Sequence, residues 1–446
     1  AYYAPRSNQT VRLVAATGQN GLQKIYDGVS LNDAGYVAFV GETGMGEALW
    51  VGTTPSDTHI INPQFEGHAI TWDGFVDINN NLKVAARSRY IGGFPPVTYV
   101  DLWNAQPNSS TVGAILARGG AGQMFLTVNQ RVSVNDQDSV AFTYLQQGAE
   151  TGAIFGGVAL YTPTRGLEDP IILDQSTAVL YPSLSEDGHI ALRDGLSSNS
   201  PIVLINPDLG GRVSIAGAGF TNLGWRPGVS EKGEVVAFQA NLADTAIITG
   251  AYRDPGQGVF ISLDRAAYTG QAGQPRERYR IAGIGCSGDP GAYEDTSFVR
   301  GFNPDKPVVV NHAFTGSRRE FKVAWIGRGA YDSEAVYVTH VTLPPEVASS
   351  APITPIVSTA RVIGVGDTIT GVAGAIVTLT IGPKMTARGE LAIWVQTDAG
   401  VQAVLRTGPQ LRRPVLVVPG IVGTGPALTS TVWWKQRGPD PQEIVM

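Results

Sequence analysis

The side chains that could do chemistry are few and mostly scattered. Five histidines, His59, His68, His189, His312 and His340, stand among 446 residues, and no two have the spacing of ligands to one metal ion. His189 and His312 lie in or beside short apolar runs, where a histidine satisfied within the packing is the simpler reading. The single cysteine, Cys286, sits in a glycine-rich stretch with Asp289. A reactive thiolate needs a cationic neighbour, and no local residue supplies one. Acidic residues do recur: Asp33, Asp136, Asp138, Glu186, Asp187 and Glu231 all fall in short polar turns. Gathered on one face, they would present carboxylates able to hold Ca²⁺. None has the Asp-x-Asp-x-Asp-Gly spacing, and turn chemistry accounts for Asp at such places without a metal. No cofactor is therefore expected, and Asp33, Asp136 and Asp138 stand as the Ca²⁺ candidates. Trp433 and Trp434, adjacent near the C-terminus, fit no repeat position and form a candidate contact surface.

What must position these groups is a repeated turn. An apolar residue, then Asn, Ser or Thr, two or three polar residues, usually Gly, and a short apolar strand occur at 31–39, 78–86, 134–142 and 184–192. The pattern returns one residue longer at 229–238 and in degenerate form at 302–310 and 385–393. The steps between copies are 47, 56, 50, 45, 73 and 83 residues. Asn32, Asn79, Asn135, Ser185, Ser230, Asn303 and Thr386 can each bond backbone two residues on. Gly35, Gly188, Gly233 and Gly389 supply positive φ without a Cβ clash. Each turn feeds a buried strand, with further short strands before the next copy. Trp50, Tyr161 and Trp325 fall at one equivalent place among these strands, where packing between units explains them. Four antiparallel strands per unit of this length is the spacing of a propeller blade.

The expected fold is all-β: a seven-bladed β-propeller of four-stranded blades, the last closed by strands from both termini. Two strands from each end are expected to meet there, 11–15 and 22–26 joining those after 385. The ring is placed at 1–406, with a Pro/Ser/Thr-rich insertion at about 343–360 between blades six and seven, and a C-terminal extension at 407–446. A six- or eight-bladed ring, a sandwich or a solenoid would carry similar turns.

Composition agrees with this and excludes other classes. There are 55 glycines and 28 prolines, and charged residues are only 16%, which does not suit a helical bundle. One cysteine cannot staple a disulfide scaffold. A net charge of −6 and a pI near 5.5 give no basic face for nucleic acid. No apolar run is long enough for a membrane-spanning helix. The chain opens at Ala1 with no apolar leader, so it is expected to be extracellular or at the cell surface after removal of a signal peptide.

The turns resemble the tandem repeats of secreted bacterial proteins whose signature reads Asn-x-x-Gly-x-x-Ala-Phe. Asn32, Gly35, Ala38 and Phe39 match it fully; Asn135, Ala141 and Phe142 match it with Asp138 in place of the glycine. The resemblance spans roughly 11–406. It implies a propeller-like fold and a surface location, and brings no catalytic residues.

The extension has a different character. Val415-Leu416-Val417-Val418 followed by Pro419-Gly420 is an apolar strand meeting a tight turn. It resembles the first strand and oxyanion loop of lipase- and acyltransferase-type α/β-hydrolases, which would make Gly420 and Ile421 an oxyanion-loop remnant. The Gly-x-Ser-x-Gly elbow of that family is absent; Gly285-Cys286-Ser287-Gly288-Asp289 lacks its last glycine. The first expectation is thus a non-catalytic surface module for binding a protein or glycan, for scaffolding, or for self-assembly through strand donation by 407–446. The alternative is the N-terminal propeller of a serine hydrolase whose catalytic part lies beyond Met446.

Overall fold

A computed structural model of the chain describes residues 9–61, 64–65, 68–90, 97–105, 114–147, 152–168, 171–172, 180–195, 197–206, 211–249, 256–269, 275–283, 306–311, 320–328, 334–344, 353, 355–409, 435–437 and 440–443. Two compact units divide it, Ala1–Pro409 and Gln410–Met446. In the second, Lys435–Arg437 pairs antiparallel with Asp440–Glu443.

The first unit is a seven-bladed β-propeller. Blade one runs Lys24–Leu31, Val37–Thr43, Gly46–Gly52, His59–Ile61. Blade two runs His68–Ile78, Lys83–Tyr90, Val97–Asn104, Ala114–Gly119. Blade three has Thr127–Val134, Val140–Gln147, Ile154–Thr162 and a broken outer strand, Gly166–Leu167 and Ile171–Ile172. Blade four has Leu180–Leu184, Ile190–Arg193, Ile202–Asn206, Gly211–Ala216. In blade five the inner strand is broken, Phe220–Thr221 and Gly228–Val229, before Val235–Leu242, Gly256–Leu263 and Glu277–Gly283. Blade six has Val309–Val310, Glu320–Arg328, Glu334–Thr342, Ile356–Gly364. Blade seven has Ile376–Met385, Leu391–Thr397 and Gln402–Pro409, with Gln9–Ala16 as its outer strand. The described α-helix, Arg265–Thr269, is a single short turn, and no described helix is long and apolar enough to cross a membrane.

The Val-Ala-Phe core of the repeat explains how blades pack. Successive strand residues face opposite sides of a sheet, and each sheet is sandwiched between two neighbours. Ala38, Ala85, Ala141, Ala191, Ala237, Ala324 and Ala392 are all fully buried, and each lies in the cluster shared with the following blade. The next residue, Phe39, Ala86, Phe142, Leu192, Phe238, Trp325 or Ile393, lies in the cluster shared with the preceding blade. In six of the seven gaps a small residue on one face thus shares its cluster with a larger side chain from the next sheet; between blades one and two Ala38 shares its cluster with Ala86, and Trp72 and Trp103 supply the bulk.

The closing blade departs from expectation. It takes three strands from the C-terminal side and one from the N-terminal side, not two and two: Gln9–Ala16 pairs with Gln402–Pro409, while the segment containing 22–26 enters the inner strand of blade one. The strand before each turn pairs with the strand after it, so the turn joins two strands of one blade and does not mark a blade boundary. Further corrections follow. The insertion expected at 343–360 between blades six and seven lies inside blade six, joining its third strand to Ile356–Gly364. Residues 407–409, placed in the extension, are strand in blade seven.

Candidate functional site

The inner strands of all seven blades line a central channel with two mouths. The turns gather at one mouth, around a cavity of about 80 Å³. Each hallmark side chain closes its own turn by accepting the N–H that opens the next strand. Asn32 Oδ1 accepts from Tyr36 at 2.9 Å, Asn79 from Lys83 at 2.8 Å and Asn135 from Ser139 at 2.9 Å. Ser185 Oγ accepts from His189 at 2.8 Å, Ser230 from Val235 at 2.9 Å and Thr386 from Glu390 at 2.9 Å. These reach four or five residues on; Asn135 also shows the two-residue reach, accepting from Gln137 N. Positive φ falls three residues after the polar one. Leu82 (φ 56°) and Asp138 (φ 60°) take it where Gly35, Gly188, Gly233 and Gly389 do elsewhere.

The Asn amides also reach to the next blade. Asn32 Nδ2 donates to Asn79 O at 2.9 Å, Asn79 to Asn135 O at 2.8 Å and Asn135 to Ser185 O at 3.2 Å. Across the seam, Ala387 N donates to Asp33 Oδ1 at 2.7 Å. In blade six the hallmark role belongs to Asn311: its Oδ1 accepts from Lys322 N at 2.6 Å and its Nδ2 donates to Ala387 O at 3.3 Å. Asn303, assigned that role from sequence, lies outside the described residues. The signal was present as Val323-Ala324-Trp325, a Val-Ala-Phe variant; Trp325 sits on a second strand, one strand inward of Trp50 and Tyr161.

Of the recurrent carboxylates gathered about this mouth, Asp33, Asp136, Asp138 and Glu186 each have an oxygen engaged. Asp136 Oδ1 accepts from Asn80 N at 2.7 Å, Asp138 Oδ1 from Asn79 Nδ2 at 2.7 Å, and Glu186 Oε2 from Asp136 N at 2.6 Å. Among the described residues no group of three or more His, Cys, Asp or Glu could hold a metal ion. Burial pushes the Glu186 carboxyl up to about 7, with Lys384 pulling the other way. Deeper in the channel, Lys384 Nζ lies 3.2 Å from Asp77 Oδ2, a fully buried carboxylate that also accepts from Ser30 Oγ at 2.6 Å and Val134 N at 2.8 Å. This pin joins blades one, two, three and seven, the third through the Val134 backbone.

The opposite mouth is built by a shared irregularity. Strand pairing slips within the inner strands between Ile25 and Val29, Trp72 and Val76, Val128 and Val132, Leu180 and Ser183, and Ile381 and Met385. Such bulges re-aim side chains. In blade five, Arg226 and Pro227 fall in the break between the two inner pieces. The result is a cavity of about 50 Å³ bordered by Asp27, Phe75, Arg131, Tyr181, Arg226 and prolines 182, 227, 307 and 383. The Arg131 guanidinium lies 3.5 Å from the Phe75 ring centroid and 4.2 Å from that of Tyr181; that of Arg226 lies 4.6 Å from Tyr181. Tyr181 has φ 62°, left-handed backbone that a bulky residue rarely adopts and that costs free energy. Sequence reading missed this site, because its residues occupy the gaps in the ladder where no repeat position is defined.

The remaining sequence candidates lie apart. His189 Nε2 is 3.2 Å from Asn206 Nδ2, and its ring packs against Gly233. His340 Nε2 is 3.4 Å from Glu320. His59 Nδ1 is 3.0 Å from the Asp57 carbonyl. His68 is in an inner strand. His312, Cys286, Asp289, Gly420, Ile421, Trp433 and Trp434 lie outside the described residues.

No family model matches the sequence, and no curated protein matches it. Among solved structures, the chain is similar to the Dos1 propeller, 9% identical over 89% of this chain and 94% of that one, with a TM-score of 0.38. It is similar also to TolB from Acinetobacter baumannii, 10% identical over 74% of this chain and 67% of that one, TM-score 0.36. A chain of the mitotic checkpoint complex is 9% identical over 91% of this chain and 97% of its own length, TM-score 0.42. The blade count rests on the strand pairing and not on these likenesses.

Proposed function

We propose that this chain is an exported, non-catalytic binding module displayed at the cell surface, and that it takes its partner at the channel mouth formed by Phe75, Arg131, Tyr181 and Arg226. One observation carries this reading. The turn mouth engages its Ser and Thr hydroxyls in closing their own turns and its Asn amides and Asp33 and Asp136 in holding neighbouring ones, whereas the opposite mouth is concave and presents guanidinium and aromatic groups turned inward by bulges. Concave sites with a few placed polar groups are where ligands are held, and Arg and Tyr are favoured contact residues. Export is tested by protease treatment of intact source cells: release of the protein supports it, and full protection overturns it. Recognition is tested by retention of the purified chain on washed cell envelopes. Tyr181→Ala, still showing the wild-type melting transition, is expected to lose retention; retention equal to wild type would refute the assigned surface.

Two uses of the extension belong beside this. The Val415-Leu416-Val417-Val418 and Pro419-Gly420 pattern supports a hydrolase continuation, tested by whether a Gly-x-Ser-x-Gly elbow follows Met446 in the coding sequence. Strand donation is tested by removing 411–446, a cut that spares the blade-seven strand ending at Pro409. A truncated chain that self-associates as before rules that role out.

A further inference from the structure

Resting on the reading of this mouth as the binding surface, we propose that Arg131 and Arg226 form an oxyanion site, taking a phosphate, sulfate or carboxylate group as ligand. Phe75 and Tyr181 flank the two guanidinium groups: Arg131 stands over both rings at 3.5 and 4.2 Å, and Arg226 over Tyr181 at 4.6 Å. Each guanidinium carries five N–H donors, so contact with a ring does not exhaust it, and the planar fork matches the two oxygens of a carboxylate or phosphate. Arg131 Nε is buried and makes no hydrogen bond to the protein.

Two cations and one carboxylate, Asp27, line the cavity, and Asp27 is exposed at its rim. Burial and then the neighbouring Arg226 charge disfavour the charged form of Arg131, which pulls its pKa well below the usual arginine value. An anion seated between the two groups favours both charged forms and offsets their mutual repulsion. The strained Tyr181 backbone is the structural cost of keeping a ring beside both cations. A cavity of about 50 Å³ admits a small group, not a large ligand body. Larger ligands would therefore insert an anionic terminus and rest on the proline rim.

The test is calorimetric titration of the full chain with inorganic phosphate and with glycerol phosphate, at ionic strength held constant with chloride. Saturable binding is expected, with affinity falling about tenfold or more in Arg226→Met and less in Arg226→Lys, because the lysine keeps charge without the fork. Tighter binding of the ester assigns the site to a phosphate carried on a larger molecule; tighter binding of the inorganic ion assigns it to the free ion. Absence of saturable binding overturns the proposal, as does equal affinity in wild type and Arg226→Met. Should Arg226→Met fail to fold, the same comparison is made with Arg226→Lys and Arg131→Lys, and unchanged affinity in both is the overturning result. Anion binding without envelope retention overturns the proposed function alone, and retention without anion binding overturns only this inference.

Discussion

Asn79 does two jobs that a sequence pattern records as one. Its Oδ1 closes the local turn, which is legible because the acceptor and its N–H are four residues apart. Its Nδ2 reaches a carbonyl 56 residues away, which no local pattern encodes. Lys384 was equally invisible: it lies in an apolar strand, and only the ring brings Asp77 to it. Lys384→Met leaves Asp77 buried without its cation and is expected to cost about 3–5 kcal/mol in urea unfolding. Adding Asp77→Asn should recover much of this, and additive losses would show that the pair is not coupled. A second expectation concerns pH. Burial raises Asp101, which Ser88 Oγ contacts, to about 7, as it raises Glu186. The unfolded carboxyls titrate near 4. Between those values the folded chain binds more protons, so this stability is present at low pH and is lost as pH rises through about 7. The wild-type urea midpoint should therefore gain from acidification from about pH 8 to pH 6. Asp101→Asn combined with Glu186→Gln should flatten that change, and an undiminished slope would refute the assignment.

At the scale of elements, the strand after each turn was readable because four to six apolar residues flanked by Gly and Asn have few alternatives. Sheet membership was not readable. A turn flanked by two strands looks the same whether it joins blades or lies within one, and only pairing such as Leu31 with Val37 decides it. The same gap displaced blade six: eight residues separate Asn311 from the strand that begins at Glu320, and a valine run upstream imitated the strand that should follow a turn. The alternation of alanine and aromatic gives a sharp prediction. Phe142→Ala should cost about 3–5 kcal/mol by leaving a cavity between blades two and three. Ala141→Leu should cost about 1–3 kcal/mol by overfilling the gap between blades three and four. Ala141 shares its cluster with Leu192. Ala141→Leu with Leu192→Ala should therefore be milder than the two single losses added, and strict additivity would show that the two sites do not share space.

For the whole ring, closure replaces the edges that an open stack would expose. The recurrence of one turn was enough to predict it even with the sixth copy misplaced, whereas the bulged mouth was hidden because each of its side chains lies off the repeat. Deleting residues 1–17 removes the outer strand of blade seven and uncovers Gln402–Pro409. The truncated chain should melt lower and associate through that edge, seen as a concentration-dependent shift in sedimentation. A monomer with the wild-type melting temperature would show that the seam contributes little.

The same seam has a kinetic consequence. Thr10 and Gly408, bonded across it, are 398 residues apart in the chain. Contacts of such separation form late and slow folding. At a synthesis rate of about 5–20 residues per second, the first strand emerges roughly 20 to 80 seconds before its partner exists. During that interval Gln9–Ala16 is an unpaired strand tethered to a growing stack of blades. Whatever guards it then, whether the ribosome surface, a chaperone or a translocation channel, acts on a species that the finished ring no longer displays. Refolding after denaturation should accordingly show a slow final phase that carries little change in secondary structure and is lost when residues 1–17 are removed.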